Sequence, residues 1–278
     1  MSESTERPIV VEKDWNKFAL PGLDVDAVIL VTGGTGAIGK RVAQVLIGWG
    51  AKVAITSRSQ TRVDEVTMEL NTGDRLLGIA ADVSKEENAK RAVETVVNKW
   101  GRLDALIQCA AVSHRNLLGE IDESQIDRVF NTNVKGPILM AKAAAIPMRA
   151  QRRGKIVNVS SIMAYRTREK GLLYGSTKAA LNHLTRYLAS ELGPYGINVN
   201  TLSPGNTPTK LTPYDQEPGA GPVPVDTDIF TGGRNLPLRR RGLLDDFVGP
   251  ILFLASDLAD YVTGTDIVVD GGFILSFP

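Results

Sequence analysis

The chain has 278 residues, with 32 Lys plus Arg against 31 Asp plus Glu, a near balance that gives no electrostatic case for nucleic acid or an anionic membrane. Its one cysteine, Cys109, excludes an internal disulfide and fits a reducing compartment. No apolar run reaches transmembrane length, and the opening MSESTERPIVVEKDW is polar and acidic, so a soluble cytoplasmic protein is expected.

Residues 1–17 read as an N-terminal extension, mobile or loosely docked. The run Ala27–Val31 is apolar at every position, as in a central parallel strand covered on both faces. It breaks into Thr32-Gly-Gly-Thr-Gly-Ala-Ile-Gly39, and a helical pattern follows (Val42, Val45, Leu46, Trp49). Gly34, Gly36 and Gly39 satisfy G-x-G-x-x-G between a strand and a helix, where backbone approaches a pyrophosphate at the positive end of the helix dipole. A plain tight turn is the competing reading.

A second strand, Ala51–Thr56, ends in Ser57-Arg58, where an acid would be expected on the ribose of NAD. Hydroxyls and a guanidinium suit a 2′-phosphate instead, although Arg58 also reads as an ordinary surface arginine. A helix (Arg62–Leu70), a short strand (Arg75–Ala80), Asp82-Val83 and a helix (Glu87–Trp100) come next. The strand Leu103–Ile107 runs into Gln108-Cys-Ala-Ala111, and a helix from Ser124 continues through Asn133 toward Met148. Cys109 sits among apolar residues and reads as a buried thiol rather than a nucleophile.

The strand Lys155–Ser160 leads to SIMAYRTREKGLLYGSTK, residues 161–178. Tyr174 and Lys178 are four apart on a helical pattern and so share a face. A cation about 4 Å away at an effective dielectric near 20 contributes about 4 kcal/mol, enough to draw a phenol from about 10 toward about 7, where a general acid or base works best. Ser161 at the strand end would hold the oxygen that Tyr174 protonates. Tyr-x-x-x-Lys alone is a common surface pair; its setting here argues against that. Strand Ile197–Leu202 ends in Ser203-Pro204-Gly205, and residues 206–238, rich in Pro, Gly, Asp and Thr, read as a functional lid. A helix (Asp246–Ala255) and a last strand (Asp266–Asp270) close an alternation that predicts a single doubly wound parallel sheet, an α/β fold. His114 and His183 read as solvated and structural or interfacial, Asp245 and Asp246 as helix caps, and Arg239–Arg241 as a solvated run. No His, Cys and acid cluster has metal-ligand spacing, so no metal is expected.

Thr32-Gly33…Gly39, Asp82-Val83, Asn133, Ser161, Tyr174…Lys178, Ser203-Pro-Gly205 and Asp270-Gly-Gly272 stand in the order that resembles the short-chain dehydrogenase/reductase family, over about residues 18–274. The resemblance implies a Rossmann-fold, NAD(P)(H)-dependent oxidoreductase of alcohols and carbonyls. It implies Tyr174 as acid/base, Ser161 on the substrate oxygen, Lys178 on the tyrosine and the nicotinamide ribose, and Asn133 anchoring a water. It further implies cofactor contacts from Gly33, Thr35, Gly36, Ile38, Gly39, Ser57, Arg58, Asp82, Val83, Asn133, Tyr174, Lys178, Pro204, Gly205, Thr207 and Thr209. Met163, Arg166 and Asn206 would meet substrate, and Arg168 and Lys170 flank the same loop. Two departures from the family pattern are Ala37, where glycine is usual, and Gln108-Cys-Ala-Ala111 for Asn-Asn-Ala-Gly. The expected activity is an NADP(H)-dependent ketone reductase or alcohol dehydrogenase, with NAD(H) as the alternative cofactor. Polyols, sugar acids, oxoacyl thioesters and cyclic diols are all admissible substrates, and a non-catalytic dinucleotide sensor is the rival of another class. The apolar tail (Phe273, Ile274, Leu275, Phe277) predicts a homo-oligomer, a tetramer before a dimer.

Overall fold

The computed structural model describes residues 13–15, 19–70, 72–207 and 236–275; Thr209, Phe277 and most of the expected lid lie outside them. Seven strands carry the fold: β1 (Val28–Thr32), β2 (Lys52–Ser57), β3 (Leu76–Ala80), β4 (Ala105–Gln108), β5 (Gly154–Val159), β6 (Ile197–Pro204) and β7 (Asp266–Val269). Among the described residues seven α-helices alternate with them: α1 (Ala37–Gly48), α2 (Gln60–Leu70), α3 (Glu86–Trp100), α4 (Glu123–Phe130), α5 (Gly136–Gln151), α6 (Leu172–Leu192) and α7 (Leu244–Ala255). The sheet order is β3-β2-β1-β4-β5-β6-β7 and every pairing is parallel. The strand order reverses between β1 and β4, the switch point at whose carboxyl ends open α/β sheets carry their binding crevice.

Alternation along the strands divides the core into two layers. Ile29 and Val31 join Ile55, Ile107 and Val157 under α1 and α7, with Val42, Leu46, Val248 and Leu252. Val28 and Leu30 join Ala54, Leu106, Ile156 and Val199 under α3, α5 and α6, with Val96, Met140 and Leu192. Burial on both sides is why these strands read as unbroken apolar runs.

The structure departs from the sequence reading in one helix and adds detail at the N-terminal extension. The helix expected from Ser124 to Met148 is interrupted at Asn131–Lys135 by a π-helical turn, a local widening that is frequent at functional sites. Part of the N-terminal extension is docked: the Lys13 amine donates to the Asp245 carbonyl at 2.8 Å, and the Trp15 ring lies 6.3 Å from that of Trp49.

Candidate active site

β5 ends one residue before Ser160, and α6 begins at Leu172, so the intervening loop delivers Ser161 and the first turns of α6 to the same end of the sheet. Ser161 caps a 3-10 turn, Ile162–Ala164, its Oγ accepting the Met163 amide at 3.2 Å. Tyr174 is half-buried, and its phenol is hydrogen-bonded to Ser161. Lys178 is 2% exposed; its Nζ donates to the Val159 carbonyl at 2.8 Å and stands 5.5 Å from the Tyr174 ring centroid. Neighbouring Ser160 turns its hydroxyl to the Lys178 carbonyl instead, at 3.1 Å.

The electrostatics differ from the simple charge-pair expectation. Burial pushes the Tyr174 phenol up to about 12, against smaller opposing effects of the Ser161 hydrogen bond and the Arg168 charge. Burial likewise draws the Lys178 amine down to about 8. Desolvation therefore outweighs the Ser161 and Arg168 effects, and the phenol holds its proton at neutral pH. Cys109 is also raised to about 12 by burial, which makes it an inert thiol.

Asn133 lies in the π turn and is 1% exposed. Its Nδ2 donates to the Val112 carbonyl at 2.8 Å and to Thr177 Oγ1 at 3.0 Å, while Oδ1 accepts the Val112 amide at 2.9 Å. Both amide hydrogens are thus used in bracing the segment after β4 against α6. Nothing in the sequence singled out Thr177, which also donates to the Tyr174 carbonyl at 2.8 Å.

The crevice beside this group is built from the β1–α1 turn. Gly33 has φ +64°, and a Cβ there would come within 2.7 Å of the Ala110 nitrogen. A Cβ on Gly39 would approach the Gly33 carbonyl oxygen to 2.6 Å, so the turn closes only without side chains at both places. Thr35, Gly36 and Ile38 lie at least partly open, and Gly36 caps α1 with no side-chain acceptor. Ala37 is simply the first helical residue, so its departure from glycine costs the turn nothing visible.

Around the rim, Ser57 closes β2 half-buried and Arg58 is exposed. Asp82 Oδ1 accepts the Ser84 amide at 3.0 Å and hydroxyl at 2.7 Å. Val83 is 6% exposed, and its side chain lies against Gly136. Pro204 is buried at the end of β6, the Gly205 amide donates to Val269, and the Asn206 carbonyl accepts the Gly242 amide at 3.0 Å. Thr207 Oγ1 is buried with no partner among the described residues. Gln108, in place of the family asparagine, spans from the Pro137 carbonyl (3.2 Å) to Asn158 Oδ1 (3.0 Å).

Several other expectations shift. Arg166 stacks over Phe273, with the guanidinium carbon 5.6 Å from the ring centroid, which ties the arginine to the segment after β7. Met163 lies half-buried beside the Arg168 stem above Gly171. Arg240 is no solvated arginine: it grips Asp246 with two bonds of 2.5 and 3.0 Å. Asp246 also takes the Leu243 amide at 2.8 Å as a helix cap, and Asp245 pairs with Arg41 at 2.6 Å, which joins α7 to α1. Among the described residues no acid–His–Cys group could hold a metal, and no helix is long and apolar enough to cross a membrane.

Residues 34–274 match the family model described as enoyl-(acyl carrier protein) reductase. A cyclohexanol dehydrogenase from Rhodococcus sp. (strain TK6) is 36% identical over 90% of this chain and 96% of its own length. An NAD-dependent glycerol dehydrogenase from Listeria innocua is 32% identical over 90% and 94%. A short-chain type dehydrogenase/reductase from Mycobacterium ulcerans superposes with a TM-score of 0.81, at 32% identity, covering 91% of each chain. ElxO, solved with NADP bound, gives a TM-score of 0.79 at 30% identity, covering 90% of this chain and 99% of its own. With these matches, the seven-stranded parallel sheet and the glycine turn beside Ser161, Tyr174 and Lys178, the chain belongs to the short-chain dehydrogenase/reductase family of oxidoreductases.

Proposed function

We propose that this enzyme interconverts a ketone and a secondary alcohol with NADP(H), NAD(H) being the alternative, and that Tyr174 exchanges the proton. The observation that carries the reading is the convergence of Ser161, Tyr174 and Lys178 beside the glycine-lined crevice. Three features fit a dinucleotide: the turn that excludes a Cβ at Gly33, the α1 N-terminus without a side-chain cap, and the Thr207 hydroxyl, which has no partner among the described residues. Gly33, Thr35, Gly36, Ile38 and Gly39 would hold the pyrophosphate side, Asp82 and Val83 the adenine, and Pro204, Gly205 and Thr207 the nicotinamide side. When bound, the dinucleotide supplies or accepts the hydride.

The chain's own residues handle the proton. In reduction the neutral phenol of Tyr174 donates to the carbonyl oxygen, which Ser161 holds in line. Lys178, buried next to the ring, is charged below about pH 8 and offsets the phenolate that this transfer leaves. Asn133 keeps α6 in register with the segment after β4. Ser57 and Arg58 favour a 2′-phosphate over a 2′-hydroxyl, since nothing acidic closes β2. The enzyme is proposed to work in the cytoplasm as a homo-oligomer, consistent with Leu275 being 74% exposed.

The test is a panel of alcohols with NADP+ and ketones with NADPH, covering polyols, sugar acids, cyclic diols and oxoacyl thioesters, followed by nicotinamide absorbance. Turnover on at least one alcohol–ketone pair is expected. Tight dinucleotide binding with no turnover on any pair would favour a sensor instead.

A further inference from the structure

Asp266 opens β7 opposite Thr201 of β6, and no residue of the family pattern requires a carboxylate there. It is nevertheless the meeting point of three segments. The Tyr165 hydroxyl donates to its Oδ2. Asn182 Nδ2 donates to the same oxygen at 3.0 Å and to the Tyr165 hydroxyl at 3.2 Å. Ser203 Oγ lies 3.0 and 2.8 Å from the two carboxylate oxygens. Each donor stands close to a part of the site. Tyr165 closes the 3-10 turn that begins at Ser161, Asn182 is one helical turn past Lys178, and Ser203 directly precedes Pro204-Gly205.

The coupling to Ser161 is short. The Met163 amide occupies one lone pair of the Ser161 hydroxyl, so the orientation of that hydroxyl follows the 3-10 turn. The Tyr165 amide closes the turn on the Ile162 carbonyl at 2.9 Å, and the Tyr165 phenol fixes its far end to Asp266. Arg166 over Phe273 ties the next residue of the same loop to the segment beyond β7. A carboxylate that accepts neutral donors forms charge-assisted bonds, stronger than those between neutral groups. Tyr165 is 48% exposed, and it stays a donor across the working range because partial desolvation and the bond to Asp266 push its phenol up to about 12.

We propose that Asp266, through Tyr165, is a positioning residue for Ser161, holding the serine hydroxyl in register with Tyr174 and Lys178. The proposal rests on the functional reading of Ser161 given above. A purely structural role, closing the sheet edge, would lower thermal stability without a selective loss of kcat.

The test uses Tyr165→Phe and Asp266→Asn, each alone and combined with Ser161→Ala, on the best substrate pair from the panel. Loss of one hydrogen bond to a charged group predicts a kcat lower by about tenfold in Tyr165→Phe, with NADPH affinity by fluorescence within about twofold. In the Ser161→Ala background the same substitution should change kcat by less than about twofold, because the group it positions is gone. Deuterium exchange, read without substrate, should rise across residues 162–171 and stay unchanged in the β1–α1 turn. An unchanged kcat, an equal loss in both backgrounds, or unaltered exchange in that loop would overturn the proposal. Wild type silent on the whole panel, or Ser161→Ala with full kcat, would instead defeat the functional reading and the proposal with it; the substrate-free exchange result keeps that failure distinct.

Discussion

Replacing Lys178 with methionine is expected to make the protein more stable near neutral pH while it stops working. The amine is 2% exposed and its pKa falls from 10.5 to about 8, with burial the first cause. The folded-state value lies below the unfolded one, so between about pH 8 and 10.5 the unfolded chain binds more protons, and stability rises with pH across that window. The difference of roughly two and a half pH units corresponds to about 3 kcal/mol, present as a penalty below pH 8 and relieved as pH rises. Linkage puts the part recovered between pH 7 and pH 9.5 at about 2 kcal/mol. Methionine fills a similar volume and removes that penalty, but it loses the 2.8 Å bond to the Val159 carbonyl, which costs about 1–2 kcal/mol. The net expectation at pH 7 is a gain of about 1–2 kcal/mol. Urea denaturation of both proteins at pH 7 and 9.5, at one protein concentration, measures this. The wild type should gain about 2 kcal/mol more than Lys178→Met between the two values. Equal pH dependence in the two proteins would refute the desolvation argument.

Gly33→Ala should abolish dinucleotide binding, because φ +64° and a Cβ 2.7 Å from the Ala110 nitrogen leave no room for the methyl; calorimetric titration with NADPH reads this, and wild-type affinity would contradict it. Arg58→Ala should lower the ratio of kcat/KM for NADPH over NADH by tenfold to hundredfold, the worth of a charge-assisted contact of roughly 1.5–3 kcal/mol. A wild type that already prefers NADH would remove Arg58 from the account. If the substrate is anionic, Arg168→Ala should raise its KM more than Arg166→Ala does, since the Arg168 charge acts on Tyr174 whereas Arg166 is stacked on Phe273.

The fold was legible because both faces of the central strands are covered. Ala27–Val31 and Ala51–Thr56 read as strands from their apolar content, within a residue of the observed Val28–Thr32 and Lys52–Ser57, and the glycine turn and the helix after it follow from spacing. What the sequence hid was long-range. Tyr165, Asn182, Ser203 and Asp266 meet although up to 101 residues separate them, and none belongs to a periodic pattern. Arg240 looked like part of a solvated run until Asp246 six residues on turned back to meet it. The π turn at Asn131–Lys135 leaves no compositional trace. For Tyr174 the pairwise charge argument points down while desolvation points up, and burial raises the phenol to about 12 as it draws the Lys178 amine to about 8.

The most direct test of the central claim is Tyr174→Phe, assayed for kcat on the best substrate pair and for NADPH binding. The ring keeps its place between Ser161 and Lys178 while the exchangeable proton is removed. The account predicts loss of turnover by a factor on the order of a hundred or more, with dinucleotide affinity unchanged within about twofold. Retention of most of the wild-type kcat would contradict it.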